Sequence, residues 1–373
     1  FDSQPQIVNG RTMVPMRAIF EALESEVSYD DKTRTATSNR KDGTVIKITA
    51  DSNKAYVNNV EKELDVSAKI INGRTMVPVR AIFESLNASV EWDEKTQTVI
   101  SYKGDTMNKI IMLGTGNGGT LDLYNTCFVI QNEKGNFLID TGGSIEIIKR
   151  LTKSGINYKT IKHIFISHSH TDHILGIFWL FKKISRLAMH GEISEKINLY
   201  CNDTVFESIQ EVSKYILPKK LMDAIYGVVE FKVLQDGDVY NINGNEYKFF
   251  DIQAKGTKQF GFESFINNKK IIFLGDETLN PNLYDKVRGA DYVMHEAFCL
   301  DSEENIFHAY EKNHSTAKSA SEVMNKLEVK NLILYHTEES HKDERKKLYT
   351  DEAQENFSGN VIVPDDLEII NIN

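Results

Sequence analysis

Four potential metal ligands occur within six residues, in the segment HSHTDH at positions 168–173. In an extended loop, His168 and His170 project to the same side, so both imidazoles can reach one cation. Asp172 and His173 lie one step further along the chain and can reach a second cation. Imidazole and carboxylate ligands at this density suit Zn²⁺, Mn²⁺ or Fe²⁺. The spacing therefore predicts a centre for two divalent ions, with Zn²⁺ foremost and Mn²⁺ or Fe²⁺ as alternatives.

The elements on either side position this segment. Residues 162–167, KHIFIS, are apolar and β-branched, which is typical of a short buried strand. Residues 174–178, ILGIF, have the pattern of a helix start. A histidine-rich surface loop with no metal-binding role is the alternative. However, a strand, four ligands and a helix in that order indicate a metal site far more specifically than a lone histidine does.

This motif resembles that of the metallo-β-lactamase superfamily of metal-dependent hydrolases. The resemblance implies an α/β fold, a four-layer αββα sandwich, over residues 105–373. It also implies two ions about 3.5–4 Å apart that share a hydroxide nucleophile. Asp276, which follows the strand predicted at 269–274, matches the superfamily's bridging ligand. Asp140, after the hairpin predicted at 127–139, is similar to a carboxylate that orients an imidazole, with a plain turn residue as the alternative.

Three later segments resemble the ribonuclease Z branch of the superfamily. They are His295-Glu296-Ala297, His314-Ser315-Thr316 and His336 at the end of an apolar strand. By this resemblance His336 is the last ligand of the second ion. His314, oriented by Glu296, is a general acid for a departing oxygen or a donor to a phosphoryl oxygen. Asp172, His314 and Glu296 are the expected catalytic group.

One ligand of the superfamily pattern is missing. A third histidine for the first ion is expected after the strand at 247–252, where the sequence continues QAKGTKQFGF. Gln253 is our candidate for the replaced ligand, with Lys255 second. A glutamine carbonyl binds hard cations but is a poor zinc ligand beside imidazole. The first site is therefore expected to be weakened or to favour Mn²⁺ or Fe²⁺.

An internal repeat occupies the N-terminal part of the chain. Residues 8–23, VNGRTMVPMRAIFEAL, recur as residues 71–86, INGRTMVPVRAIFESL, with 13 of 16 positions identical at an offset of 63. Each copy predicts a turn at Asn-Gly, a short strand, a proline at its end and an amphipathic helix ending near Leu23 or Leu86. The sequence therefore predicts a small α+β repeat domain over residues 1–104.

This repeat resembles the copper amine oxidase N-terminal module. The module carries no copper chemistry here, because residues 1–102 contain neither histidine nor cysteine. Its resemblance to appendages of exported proteins implies a protein secreted by, or displayed on the surface of, a Gram-positive bacterium. The repeats would then bind a cell-wall or surface component, and a homodimer is a candidate assembly.

Charge and composition restrict the class of substrate. The net charge of −10 over 373 residues argues against general affinity for nucleic acid or anionic membrane. No apolar run approaches the roughly 20 residues of a membrane-spanning helix. A Gly/Pro-rich arm of the kind that grips tRNA is also absent from the sequence. These features favour a small-molecule substrate over RNA.

Three functions are consistent with the sequence. The leading hypothesis is a binuclear metal hydrolase that attacks a small extracellular phosphodiester. The second is hydrolysis of a thioester, lactone or ester on the same ions. The sequence does not separate it from the first, because the leaving-group pocket lies in the variable stretch 177–250. The third is a surface-binding protein whose hydrolase domain has decayed, motivated by the missing histidine.

Overall fold

The chain divides into two units, Phe1–Thr106 and Met107–Asn373. The boundary expected from sequence, between residues 104 and 105, falls two residues from this division. The structure, a computed structural model, describes residues 6–8, 11–17, 20, 25–39, 45–57, 60–64, 66–78, 89–93, 98–102, 108–193 and 195–372.

The described part of the first unit is rich in antiparallel strands. They are β1 Gln6–Val8, β2 Arg11–Pro15, β3 Glu26–Asp30, β4 Thr35–Asn39, β5 Val45–Thr49, β6 Lys54–Val57, β7 Val60–Glu63, β8 Lys69–Ile71, β9 Arg74–Pro78, β10 Ser89–Asp93 and β11 Thr98–Tyr102. Their sheet orders are β1-β2-β9-β8, β3 to β7 in sequence, and β10-β11. Alternating apolar residues such as Ile46 and Ile48 fill the core of this unit, together with Phe20.

The two copies of the repeat meet in one sheet. Strand β2 of the first copy pairs antiparallel with β9 of the second, with Val14 opposite Val77. The Asn72-Gly73 turn joins β8 to β9, and both residues have positive φ, 52° and 74°, as a two-residue hairpin turn requires. The equivalent turn at Asn9-Gly10 and the predicted helix ends at Leu23 and Leu86 lie outside the described residues.

Two seven-stranded sheets form the centre of the described second unit. Their strands are β12 Lys109–Gly114, β13 Cys127–Asn132, β14 Gly135–Ile139, β15 His163–Ile166, β16 Ile197–Cys201, β17 Val229–Val233, β18 Val239–Ile242, β19 Asn245–Asp251, β20 Phe260–Ile266, β21 Lys269–Phe273, β22 Tyr292–Glu296, β23 Asn331–Tyr335, β24 Asn360–Ile362 and β25 Ile369–Asn371. The first sheet has the order β17-β16-β15-β14-β13-β12-β25, and the second runs from β18 to β24 in sequence.

Helices cover the outer faces of these sheets. They are α1 Glu146–Lys153, α2 Thr171–Ile174, α3 Gly176–Met189, α4 Asp203–Ile216, α5 Lys219–Val228, α6 Tyr284–Val287, α7 Glu304–Phe307, α8 Ala317–Lys326 and α9 Arg345–Gln354. Thr316 caps α8 in a capping box with Ser319. Within the described residues, none of the helices has the length and apolarity to cross a bilayer.

Alternation along the strands separates the apolar side chains into layers. In β12, Ile110 and Met112 point into the core between the sheets, whereas Ile111 and Leu113 pack beneath the helices on the outer face. Helices α8 and α9 pack against the outer face of the second sheet. The four-layer αββα sandwich expected from sequence is therefore confirmed, preceded by a β-rich N-terminal unit.

Parallel pairing brings the site residues to one edge of each sheet. Strands β14 and β15 are parallel, as are β21, β22 and β23. Their carboxyl ends lead into Asp140, the HSHTDH segment, Asp276, Glu296 and His336. Because parallel strands end on the same side, side chains distant in sequence are placed next to one another.

The aromatic core between the sheets makes a large contribution to stability. Phe165 contacts Phe249, Phe262 and Phe273 with ring centroids 5.0–6.5 Å apart. We expect Phe165→Ala to lower the free energy of unfolding by about 3–5 kcal/mol, because it leaves a cavity in a buried cluster. Phe265→Ala is the control, since that ring is 60% exposed and its loss should cost under about 0.5 kcal/mol. Urea unfolding followed by circular dichroism compares the two, and equal effects would contradict the packing described.

Candidate metal centre and active site

Asp140 organises the loop that follows strand β15. Its carboxylate accepts hydrogen bonds from the Ser167 backbone N–H and hydroxyl, both at 2.8 Å. It also lies 2.9 Å from Nδ1 of His173. Asp140 is buried and adopts a left-handed backbone with φ 54°. The carboxylate therefore fixes both the start of the HSHTDH segment and the imidazole at its end.

Three imidazole nitrogens converge on the carboxylate of Asp276. The Nε2 atoms of His168, His173 and His336 lie 3.2, 3.3 and 3.7 Å from Asp276 Oδ2. Within the described residues, ligand atoms cluster within 4.8 Å in two groups, His168–His173–Asp276 and Asp172–His173–His336.

The hydrogen bonding of this cluster fits divalent cations. Nε2 of His168, Nε2 of His173 and Oδ1 of Asp276 are buried without a hydrogen-bond partner. Buried polar atoms normally have partners, so three adjacent exceptions indicate a missing common partner. Nitrogen and carboxylate donors in this arrangement are those that zinc and related ions bind.

The opposite nitrogen of each imidazole is held by the protein. Nδ1 of His168 lies 3.0 Å from Ser167 Oγ, and Nδ1 of His336 lies 3.1 Å from Thr126 Oγ1. With Asp140 at His173, each ring is fixed so that Nε2 faces Asp276. Ser167 and Thr126 were not identified from sequence; Ser167 adjoins the motif, whereas nothing in the sequence around Thr126 marks it.

Burial and charge set the protonation of the cluster. Burial lowers the pKa of His336 to about 3, which keeps its imidazole neutral, as a metal ligand must be. Burial tends to raise the pKa of Asp276, but His168 and His173 outweigh it and the pKa lies well below its ordinary value. For His173, burial tends to lower the pKa, but Asp172 and Asp140 outweigh it and raise the pKa. Carboxylates in this cluster therefore stabilise positive charge.

Glycine backbones approach Asp172 closely. A Cβ atom on Gly118 would lie 3.1 Å from Cγ of Asp172, and one on Gly143 would lie 3.5 Å from its Cα. Gly118 places the glycine-rich loop 114–119 against this carboxylate. Its neighbour Asn117 donates a hydrogen bond to Glu338 at 2.7 Å, which ties the loop to the segment after His336.

The structure corrects the prediction that Gln253 replaces the missing histidine ligand. The amide oxygen of Gln253, the atom expected to bind the ion, accepts a hydrogen bond from Asn282 at 2.9 Å, and the residue is exposed. Its left-handed backbone (φ 58°) and the bond from its N–H to Asp251 turn it toward this neighbour. Lys255, the second candidate, is also exposed.

Thr257 contacts the remaining histidine of the motif. Its hydroxyl lies 3.0 Å from Nε2 of His170. The ring of His170 packs edge-on against His168, with centroids 4.6 Å apart. Nothing in the sequence around Thr257 marks it, because only the fold brings it to His170.

His314 and Glu296 lie beside the cluster. Nδ1 of His314 is 3.5 Å from Glu296 Oε2, while Glu296 Oε1 accepts a bond from the Ser315 N–H at 2.6 Å. The ring of His314 stacks on Phe298 and lies 5.3 Å from that of His336. Burial tends to lower the pKa of His314, but the Glu296 carboxylate outweighs it and raises the pKa. An imidazole with a raised pKa, 15% exposed, thus lies next to the cluster.

Parts of the chain are similar to known proteins. Residues 1–101 match the copper amine oxidase N-terminal domain. The chain is 24% identical over 308 residues to ribonuclease Z of Archaeoglobus fulgidus, covering 69% of this chain and 95% of the relative. It is 25% identical over 309 residues to ribonuclease Z of Enterococcus faecalis, covering 71% and 97%.

Solved structures show the same fold. The metallo-β-lactamase fold protein YhfI from Bacillus subtilis superposes with a TM-score of 0.58 at 16% identity, covering 72% of this chain and all of that one. The short form of human tRNase Z superposes with a TM-score of 0.55 at 20% identity, covering 71% and 99%. The protein is a metal-dependent hydrolase of the metallo-β-lactamase superfamily, ribonuclease Z-like and phosphodiesterase-like. Residues 108–352, well over half of the chain, match the family described as anti-Pycsar protein Apyc1, and the chain belongs to that family.

The contacts of Asp140 predict its effect on metal binding. We expect Asp140→Asn to weaken Zn²⁺ binding by about 10- to 100-fold, because the substitution removes the charge that orients His173 and Ser167. Asp122→Asn is the control, since Asp122 is exposed and pairs only with Lys342 among the ion pairs described. Competition with a chelator measures both affinities. Equal affinities in the two variants would show that Asp140 does not position the ligands.

Proposed function

We propose that the protein hydrolyses a small phosphodiester outside the cell with two divalent ions, most often Zn²⁺. The observation that carries this proposal is the convergence of unpartnered ligand atoms on Asp276, with His314, whose pKa a buried carboxylate raises, beside them. A binding module would need neither feature. The ribonuclease Z relatives support a phosphodiester over other hydrolysable bonds.

Seven described residues are the candidate ligands. His168 and His170 would hold one ion, and Asp172, His173 and His336 would hold the other. Asp276 would bind both ions. Thr257 is the seventh candidate ligand. Ions bound there would supply Lewis-acid stabilisation of phosphoryl oxygens and activation of water. Asp140, Ser167 and Thr126 contribute by fixing the imidazole rings before substrate arrives, which reduces the reorganisation needed during the reaction.

His314 acts on the leaving group. In its protonated form the imidazole donates a proton to the departing oxygen, and the Glu296 carboxylate, 3.5 Å away, raises its pKa. Stacking on Phe298 limits rotation of the ring. The backbone bond from Ser315 holds Glu296 in turn, so the donor is positioned by the fold.

Charge supports a small substrate. The net charge of −10 opposes a long polyanion such as tRNA, whose binding depends on many cationic contacts. A single diester requires neutralisation only at the reacting phosphate, which the ions and His314 supply. This distinguishes the proposed substrate from that of the ribonuclease Z relatives.

The N-terminal unit supports attachment to a cell-wall or surface component. It contains a cavity of about 310 Å³ whose lining includes Arg17, Ser28, Tyr29, Asp31, Arg74 and Thr75. An aromatic face beside polar and charged groups suits a saccharide, whose ring stacks while its hydroxyls form hydrogen bonds. Secretion or display on the surface of a Gram-positive bacterium is part of this proposal.

Substrate class is tested directly. With Zn²⁺ or Mn²⁺ added, we expect the full chain to hydrolyse bis(p-nitrophenyl) phosphate faster than a p-nitrophenyl carboxylic ester. His336→Ala, which removes a ligand, should abolish the diester activity. A preference for the ester would replace the phosphodiester proposal with carboxylic ester chemistry.

The role of His314 is tested by changing the leaving group. His314→Ala should slow hydrolysis of a diester with an alkyl alcohol leaving group by about 100- to 10,000-fold. The loss should be much smaller for p-nitrophenolate, which departs without protonation. His190→Ala, at an exposed position, is the control. Equal losses for both leaving groups would exclude proton donation by His314.

The pH dependence gives the same test a second readout. Because the protonated form is the donor and its pKa is raised, activity toward the alkyl diester should persist to a higher pH than an ordinary histidine allows. It should then fall as the pH rises through the raised pKa. His314→Ala should lack this fall.

Attachment is tested with two tyrosines of equal exposure. We expect the full chain to sediment with purified Gram-positive cell walls. Tyr29→Ala should reduce the bound fraction because Tyr29 lines the cavity, whereas Tyr56→Ala on strand β6 should not. Their exposures, 36% and 37%, are matched. Equal retention of both variants would rule out the cavity as the binding site.

A further inference from the structure

The two halves of the metal centre are not equivalent. Asp172, His173 and His336 present ligand atoms that all lie within 4.8 Å of one another. His168, His173 and Asp276 cluster in the same way, but within the described residues His170 belongs to neither group of clustered ligands. The half that includes His170 is therefore the less assembled one.

A hydroxyl group occupies the position next to His170. Thr257 Oγ1 is 3.0 Å from His170 Nε2, the same kind of atom by which His168 and His173 face Asp276. The glutamine that sequence favoured is bound to Asn282 instead. Thr257 is thus the group that the loop after β19 offers to this half of the centre.

Two side chains hold the loop of Thr257 in place. Glu277 is buried, and its carboxylate accepts hydrogen bonds from the N–H groups of Lys255 at 2.8 Å and Gly256 at 3.2 Å. Gln259 is also buried and accepts a bond from the Asp276 N–H at 3.1 Å. The loop is therefore attached on both sides of Thr257 to the segment that carries the shared carboxylate.

Gly256 allows this close approach. A Cβ atom at residue 256 would lie 3.1 Å from Glu277 Oε1, so a larger residue would displace the carboxylate or the loop. The position of Thr257 is thus fixed by neighbouring groups, which favours a built contact with His170 over a chance one.

We propose that the centre binds its two ions with unequal strength, because Thr257 stands in the half formed by His168, His170 and Asp276 where a strong ligand would complete the site. This inference rests on the proposed metal-dependent function. The ion held by Asp172, His173, His336 and Asp276 binds first. The second ion binds weakly, so its occupancy varies with the metal concentration.

Ligand chemistry determines the direction of the difference. A neutral hydroxyl donates less charge to Zn²⁺ than an imidazole, which is among its common ligands. Loss of even an outer ligand contact costs about 10- to 100-fold in affinity, so we expect the two dissociation constants to differ by at least about 100-fold.

Calorimetric titration of Zn²⁺ into the chelator-treated full chain measures the two events without substrate. Wild type should show one tight event and one weak event. Thr257→His should tighten the weak event to within about 10-fold of the tight one. Gln253→His is the matched control, because that side chain points to Asn282, and it should behave as wild type. Circular dichroism confirms that each variant is folded.

A second variant tests the assignment without adding a ligand. His170→Ala should abolish the weak event and leave the tight one unchanged. Two equally tight events in wild type would overturn the proposal, as would a tight event weakened by His170→Ala. It would also fail if Gln253→His, and not Thr257→His, strengthened the weak event. If the chain binds two ions with unequal strength but hydrolyses no diester, the proposed function is refuted and the inference of unequal binding stands.

Discussion

The buried carboxylate of Asp276 is the constraint on which the site depends. A carboxylate removed from water is costly unless positive charge compensates for it. His168, His173 and His336 surround it at 3.2–3.7 Å, and their outer nitrogens are held by Ser167, Asp140 and Thr126. These residues come from five places in the fold, which are the ends of β14, β15, β21 and β23 and the residue before β13. The two sheets must therefore be aligned before the charge can be compensated, and a bound cation would stabilise that alignment.

Much of this arrangement is encoded locally. The apolar, β-branched run before HSHTDH predicts strand β15, because a strand buried on both faces has consecutive apolar residues. The motif residues and Asp276 follow strand ends directly, so their place at one sheet edge could be inferred. The pairing of His314 with Glu296 also came from short motifs.

Contacts between distant segments could not be inferred. Thr126 reaches His336 across 210 residues, and Thr257 reaches His170 across 87. Nothing near either threonine in sequence distinguishes it from a surface residue. The error at Gln253 has a related cause: position along the chain suggested a ligand, whereas a left-handed backbone and Asn282 decide where the amide points. Single residues in loops are governed by such tertiary contacts.

The pairing of β2 with β9 has a further consequence. Met13 opposes Pro78 and Pro15 opposes Met76, while Val14 opposes Val77. At the repeat offset of 63, Met13 corresponds to Met76, Val14 to Val77 and Pro15 to Pro78. The methionine of each copy therefore pairs with the proline of the other copy, and the two valines pair with each other. The edge is self-complementary and the pairing has two-fold symmetry. A single copy would expose the same edge to another molecule, so an unduplicated form would associate as a homodimer, and duplication makes that interface intramolecular and independent of protein concentration.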